Sequence, residues 1–151
     1  MGEETSSTHL IFCIVAMIIA AGVAGVIYTN VNAVANATQS AGSTLSQQLQ
    51  TDITIINDPG NIPKSGDIYT FYVKNTGKST LTTELVSVLV NGVYFPDEDV
   101  QKTVIGVGTT TTWQPTDVLQ LDISYPGMPI GDNYLRVITE NGVDDSFEFT
   151  I

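Results

Sequence analysis

The sequence contains few residues that could perform chemistry. One cysteine, Cys13, and one histidine, His9, occur among 151 residues, and neither type recurs after position 13. Ser-His-Asp and Cys-His catalytic arrangements are therefore excluded from residues 52–151, as is any zinc site with nitrogen or sulfur ligands. For that part of the chain we expect no enzymatic activity, no cofactor and no disulfide bond.

Charged residues are absent from a long N-terminal segment, because no Asp, Glu, Lys or Arg occurs between positions 5 and 51. An apolar run inside it, residues 10–28, would form about 28 Å of helix, close to the roughly 30 Å of a bilayer's hydrocarbon core. The preceding residues include no Lys or Arg, unlike the start of a secretory signal. We therefore predict a short tail over residues 1–9 and a retained transmembrane helix over residues 10–28.

Basic residues, which orient membrane helices, are scarce on both sides of this span. The first one after it is Lys64, so the charge rule for topology gives no direction. The short acidic tail and the Thr-, Asn- and Gly-rich remainder favour an extracytoplasmic location for residues 52–151. We expect a single-pass membrane protein with its tail inside the cell.

Residues 29–51 are polar, small-sided and free of proline. Spacings of three and four residues separate the members of a weak heptad-like stripe: Val31, Val34, Thr38, Ala41, Leu45 and Gln48. We predict a helical stalk that continues the membrane helix and packs on copies of itself through Val31, Val34, Ala41 and Leu45. A lone helix of this composition is unstable in water. A flexible linker is the alternative interpretation.

One N-glycosylation sequon, Asn36-Ala37-Thr38, lies in the stalk. If this segment is external, Asn36 is a possible glycosylation site. A stalk packed tightly on that face would leave no room for a glycan.

Residues 52–151 have the pattern of a mainly β domain with seven or eight short strands and turn signals about every ten residues. Leu119, Leu121 and Ile123 alternate with polar residues, and Asn91-Gly92 is a strong two-residue hairpin signal. We predict an immunoglobulin-like antiparallel β-sandwich with Trp113 in its core. The Cys–Trp–Cys pattern of antibody domains is missing.

This β-domain is acidic, with 14 Asp and Glu against five Lys and Arg, which gives a net charge of −9. Such a charge argues against binding to nucleic acid or to an anionic lipid surface. The candidate partner-binding surfaces are the segment carrying Tyr94, Asp97, Glu98 and Asp99, or the loop at residues 57–67. The three acidic residues could alternatively hold Ca²⁺, although they lack the spacing of a calcium loop.

A longer stretch of sequence carries a family resemblance. Its pieces are Thr51-Asp52, the turn Ile56-Asn57-Asp58-Pro59, Ile62-Pro63, and the YVKNTGK core that ends at Lys78. With the N-terminal apolar helix, these resemble the membrane-anchored archaellum accessory proteins known as FlaG. The resemblance covers the layout of the whole chain, is specific at residues 55–63 and 72–78, and is weak after residue 93.

The resemblance implies a non-enzymatic component of the archaellum, the rotary swimming filament of archaea. It implies a stator element that assembles through its helix and binds a FlaF-like β-sandwich partner attached to the surface layer. Two alternatives remain open. One is a pilin-like or archaellin-like filament subunit, and the other is a carbohydrate-binding module that stacks sugars on Tyr94, Phe95 or Tyr125.

Overall fold

The computed structural model describes the backbone of residues 2–151 and the side chains from residue 6 onward, so Met1 lies outside the described residues. A single helix, α1 (Gly2–Gln50), spans the tail, the apolar run and the stalk. Polar side chains within it bond back to carbonyl groups one turn earlier, as when the Thr38 hydroxyl donates to the Val34 carbonyl at 2.9 Å. Residues 6–50 are long and apolar enough for a membrane span, by length and composition alone. The expected continuation of the helix to Gln50 is observed.

The chain divides into two compact units, Met1–Ser43 and Thr44–Ile151. In the first unit, every described side chain of α1 is exposed. The second unit contains the last residues of α1 and the strands.

The β-domain is built from eleven strands and one 3-10 turn in the described chain. The strands are β1 (Ile53–Ile55), β2 (Lys64–Ser65), β3 (Ile68–Asn75), β4 (Leu81–Thr82), β5 (Ser87–Val90), β6 (Val93–Phe95), β7 (Val100–Val104), β8 (Thr112–Trp113), β9 (Val118–Ser124), β10 (Asp132–Ile138) and β11 (Asp144–Thr150). The 3-10 turn, Thr83–Leu85, precedes β5.

Two antiparallel sheets face each other. The first sheet has the order β1-β3-β9-β7, with β2 added on β3, and the second has the order β11-β10-β5-β6. A short ladder of β4 with β8 completes the fold. Phe71 of the first sheet and Phe149 of the second meet edge to face, with ring centroids 5.1 Å apart. The predicted immunoglobulin-like β-sandwich is confirmed.

Alternation along the strands explains how the core forms. In β9, Leu119, Leu121 and Ile123 are fully buried, while the residues between them are only partly buried. The predicted core residue Trp113 is also fully buried, and its indole N–H donates to the Asp117 carbonyl at 3.0 Å. A buried indole needs such a partner, because an unpaired N–H would be costly.

Several features were not predicted: eleven short strands are present in the described chain instead of seven or eight, and β2 lies inside the predicted loop at residues 57–67. Strand β7 was not recognised from the sequence, which indicated only an acidic segment there. Its polar residues Gln101, Lys102 and Thr103 hide the alternation of apolar and polar residues that marks a strand. A second Asn-Gly pair, Asn141-Gly142, lies between β10 and β11, in a wider hairpin loop than Asn91-Gly92. There the Thr139 N–H donates to the Val143 carbonyl at 2.8 Å, and only Gly142 has positive φ.

Candidate partner-binding edge

One side of the sandwich, where β1 approaches β11, is closed by hydrogen bonds. The Ile55 N–H donates to Asp145 Oδ2 at 2.8 Å, and the Thr150 N–H donates to the Pro59 carbonyl at 3.0 Å. These bonds occupy backbone groups that an incoming strand would need. This side is therefore not an open sheet edge.

The loop at residues 57–67 takes part in that closure. Asn57 Oδ1 accepts from the Tyr72 N–H at 2.6 Å, and its Nδ2 donates to the Thr70 carbonyl at 3.0 Å. Ile62 is buried in the core. The loop is thus held as part of the β-domain, which favours the other predicted surface for binding.

The opposite side of the second sheet ends in β6, which pairs only with β5. Asn91 at φ 53° and Gly92 at φ 80° form the two-residue turn between them, as the sequence predicts. Val90 pairs with Val93 beside the turn, and Leu89 pairs with Tyr94. Because alternate residues of an antiparallel strand face the partner strand, the backbone N–H and C=O of Tyr94 point away from β5.

The hairpin that carries Tyr94 is held in place by hydrogen bonds from its turn. Asn91 Nδ2 donates to Asn133 Oδ1 at 2.7 Å, and Asn91 Oδ1 accepts from the Tyr134 N–H at 3.0 Å. These bonds tie the hairpin turn to β10. The side chains of Val93 and Tyr94 are 55% and 56% exposed. The hairpin therefore offers apolar side chains together with unpaired backbone groups.

The acidic residues of the loop that follows β6 differ in whether they form an ion pair. Lys102 Nζ donates to Asp97 Oδ1 and to the Val86 carbonyl, both at 2.7 Å, and the Lys102 side chain is only 9% exposed. Asp97 therefore neutralises a nearly buried ammonium group. Glu98 forms no ion pair with any described residue, so its charge remains available to a partner.

Asp99 supports the loop through its backbone. Its N–H donates to the Pro96 carbonyl at 2.9 Å, and its C=O accepts from the Ser124 N–H at 2.8 Å. Glu98, Asp99 and Asp122 line a shallow groove of about 170 Å³. Among residues 6–151, no group of three His, Cys, Asp or Glu side chains has an arrangement suited to a metal ion.

The outer face of the second sheet carries one compensated charge. Arg136 Nε donates to Asp144 Oδ2 at 2.8 Å. This hydrogen bond lowers the pKa of Asp144 and raises that of Arg136. The pair is internally compensated, and Glu98 is the nearest charged residue to Tyr94 in sequence that has no ion-pair partner among the described residues.

The predicted stalk residues all lie on α1 and are exposed. Val31, Val34 and Leu45 are 60%, 65% and 55% exposed, and Ala41 is exposed as well. Val31, Val34 and Ala35 lie together on α1 and form a small apolar patch beside Asn30. Their packing on a second copy stays a prediction, as does glycosylation of the exposed Asn36.

Of the partner-binding residues predicted from the sequence, the structure leaves the side chains of Tyr94, Glu98 and Asp99 exposed and without an ion pair in the described chain, while Asp97 is engaged by Lys102. Sequence reasoning missed Lys102, because no local pattern reveals that a lysine on an edge strand will be buried beneath an acidic loop. It also missed Val93, which the hairpin signal could have revealed as the first residue of an edge strand.

Comparisons with known proteins agree with the sequence resemblance. A family described as archaeal-type flagellin matches residues 2–149. Two similar relatives are named flagella-related protein G. The one from Methanococcus voltae is 34% identical over 143 residues, covering 93% of each chain. The one from Methanocaldococcus jannaschii is 26% identical over 152 residues, covering 93% of this chain and 91% of the relative.

Solved structures were also matched. The archaellum periplasmic stator protein FlaG from Sulfolobus acidocaldarius is 22% identical, with a TM-score of 0.44 over 66% of this chain and 99% of that one. A chain of the FlaF and FlaG stator complex from the same organism is 21% identical, with a TM-score of 0.43 over 66% of this chain and 88% of that one.

Proposed function

The chain belongs to the archaeal-type flagellin family, and we propose that it is a non-enzymatic stator element of the archaellum, anchored by α1, whose β-domain binds a second β-sandwich protein through β6. The name shared by its relatives, flagella-related protein G, supports the assignment to the archaellum. The observation that carries the binding proposal is the unpaired backbone edge at Tyr94 beside the uncompensated charge of Glu98.

Anchoring is supported by the apolar part of α1. A span in the first part of Ser6–Gln50 would lie in the membrane, and the acidic β-domain would lie outside it. A stator must be held against rotation, and a membrane helix with a wall-bound partner supplies two points of attachment. The partner expected from the family resemblance is a FlaF-like protein attached to the surface layer.

Self-assembly is supported by the exposed, uncharged surface of the stalk. An isolated helix of this kind is not stable in water, and packing of its apolar stripe against another helix would stabilise it. The patch at Val31 and Val34 is such a stripe. We propose that copies of the chain associate there.

The groups exposed along β6 indicate which chemical features a partner needs. A strand that adds to β6 would bond to the outward N–H and C=O of Tyr94, and a basic side chain near it would meet Glu98. Site-specific photo-crosslinking tests this in intact cells. A benzophenone side chain at position 94 should capture the FlaF-like protein, and one at position 59, on the closed side, should not. Capture only from position 59 would contradict the proposal.

A filament subunit is the second candidate, because the matching family is described as archaeal-type flagellin. A filament subunit would lie along the whole archaellum, whereas a stator element would remain at the cell envelope. Immunogold labelling of sheared filaments and of cell envelopes distinguishes the two. Labelling along the filaments would favour the second candidate.

A further inference from the structure

The C-terminal end of α1 is enclosed by two loops of the β-domain, and all the residues involved belong to the unit Thr44–Ile151. One loop is the turn at residues 75–79 after β3, in the first sheet. The other is the β10–β11 hairpin loop, in the second sheet, which contributes Asn141. We call the helix end with these two loops the joint.

The turn at residues 75–79 donates hydrogen bonds to backbone carbonyl groups at the end of the helix. The Lys78 and Ser79 N–H groups donate to the Gln50 carbonyl at 2.7 and 3.2 Å, and the Gly77 N–H donates to the Asp52 carbonyl at 2.9 Å. The last carbonyl groups of a helix have no partner within it. Here the β-domain backbone supplies one, so helix end and turn are bound to each other.

Gly77 makes this close approach possible. A Cβ atom added there would lie 2.5 Å from the Asp52 nitrogen and 2.6 Å from the Gln50 oxygen. Both are backbone atoms and cannot move aside as a flexible side chain could. The glycine is thus required by the packing of two backbone segments.

The Asn75 side chain holds the turn in place through hydrogen bonds. It is fully buried. Its Nδ2 donates to the Ser79 carbonyl at 2.9 Å and to the Trp113 carbonyl at 3.2 Å, while its Oδ1 accepts from the Gly77 N–H at 3.1 Å. One side chain therefore links the helix-binding turn to the strand that carries the core tryptophan.

A strained residue is held against the same asparagine. Thr116 has φ 75°, a region that β-branched residues rarely occupy, and its N–H donates to the Asn75 carbonyl at 2.9 Å. Strain of this kind persists only where the surrounding structure fixes it.

The second loop contacts the helix from the other sheet. Gln48 Nε2 donates to the Asn141 carbonyl at 3.0 Å, and Asn141 Nδ2 donates to Thr51 Oγ1 at 2.9 Å. Thr51 Oγ1 in turn donates to the Gln47 carbonyl at 2.8 Å. The helix end is thus hydrogen-bonded to both sheets.

We propose that the joint is a rigid coupling that transmits force between the end of α1 and the β-domain. A swivelling head would need a linker with few contacts, commonly rich in Gly and Ser, whereas here backbone bonds continue from Gln50 directly into the sandwich. Its mechanical role rests on the proposed stator function, because only a load-bearing protein needs to resist bending there.

Spin labels at exposed Gln47 and Gln101 test the coupling in the full-length protein, reconstituted in lipid nanodiscs with Cys13 replaced by serine. Wild type should give one narrow distance distribution. Gly77→Ala should broaden it and speed amide exchange of Lys78 about tenfold or more. Gly60→Ala is the matched control, since its added Cβ would meet only Asp58 Oδ1, at 3.8 Å. It should behave as wild type.

If Gly77→Ala fails to fold, the double variant Gln48→Ala and Asn141→Ala loosens the joint without a backbone clash, and it should also broaden the distribution. A broad distribution in wild type, or a narrow one in every folded variant, would overturn the rigid coupling and leave the stator proposal standing.

A folded variant that has a loosened joint and still captures the partner should fail to support swimming. Normal swimming by such cells would overturn the mechanical role alone. Normal swimming by cells that lack the whole protein would instead overturn the proposed function.

Discussion

Replacing Asn75 by alanine should cost the β-domain much of its stability. The substitution removes three side-chain hydrogen bonds and leaves the Ser79 carbonyl, the Trp113 carbonyl and the Gly77 N–H without that partner. Each lost bond is worth about 1 kcal/mol, so we expect a loss of about 3 kcal/mol in the free energy of unfolding. That is a large share of the roughly 5–15 kcal/mol that a typical domain possesses.

The assay is urea denaturation of the full-length protein in detergent, followed by tryptophan fluorescence. Trp113 is the only tryptophan and is fully buried, so its emission reports on the β-domain even while α1 remains helical. With a slope of about 1–3 kcal/mol per M, the midpoint should fall by about 1–3 M urea. Asn61→Ala, at an exposed site, is the control. If both variants unfold within about 0.5 kcal/mol of each other, the reasoning about Asn75 is wrong.

Three further predictions concern charge and assembly. Glu98→Lys should slow association with the partner and flatten its dependence on salt, as measured by stopped flow, whereas Glu148→Lys on the closed side should change neither. Val34→Asp with Leu45→Asp should convert oligomers to monomers in light scattering without altering the urea midpoint, and unchanged oligomers would refute the stalk contact. Because the pKa of Asp144 is lowered from 3.8 by its arginine partner, the pair stabilises the fold above that pH and stops doing so as acid protonates the carboxylate. The stability difference between wild type and Asp144→Asn should therefore be present at neutral pH and vanish in strong acid, while a difference unchanged by acid would contradict the assignment.

Local sequence patterns predicted the regular parts of the fold well. The alternation of Leu119, Leu121 and Ile123 predicted the buried face of β9, and Asn91-Gly92 predicted the turn before β6, because each signal depends on neighbouring residues alone. The continuation of α1 to Gln50 was expected for a similar reason, since its segment has no proline.

Features that depend on contacts distant in sequence were not predictable. Nothing near Lys102 shows that it reaches both Asp97 and the Val86 carbonyl. Nor does the Asn-Thr-Gly turn itself show that it binds the end of α1, because three strands separate the turn from the helix in the sequence. The choice between the two predicted binding surfaces likewise needed the sheet order, which places β6 at the end of the second sheet with no described strand on its outer side.

The most direct test of the central claim is the dissociation constant of the full-length protein for a FlaF-like protein from the same cell, compared between Tyr94→Ala and Tyr94→Pro. Both variants remove the ring, but proline also removes the outward N–H. We predict that Tyr94→Pro binds at least about tenfold more weakly than Tyr94→Ala, which corresponds to one lost hydrogen bond of about 1.4 kcal/mol. Tyr72→Ala, on a strand of the other sheet, should bind as wild type. Equal affinities for Tyr94→Pro and Tyr94→Ala, with both folded, would contradict the claim that the partner pairs with β6.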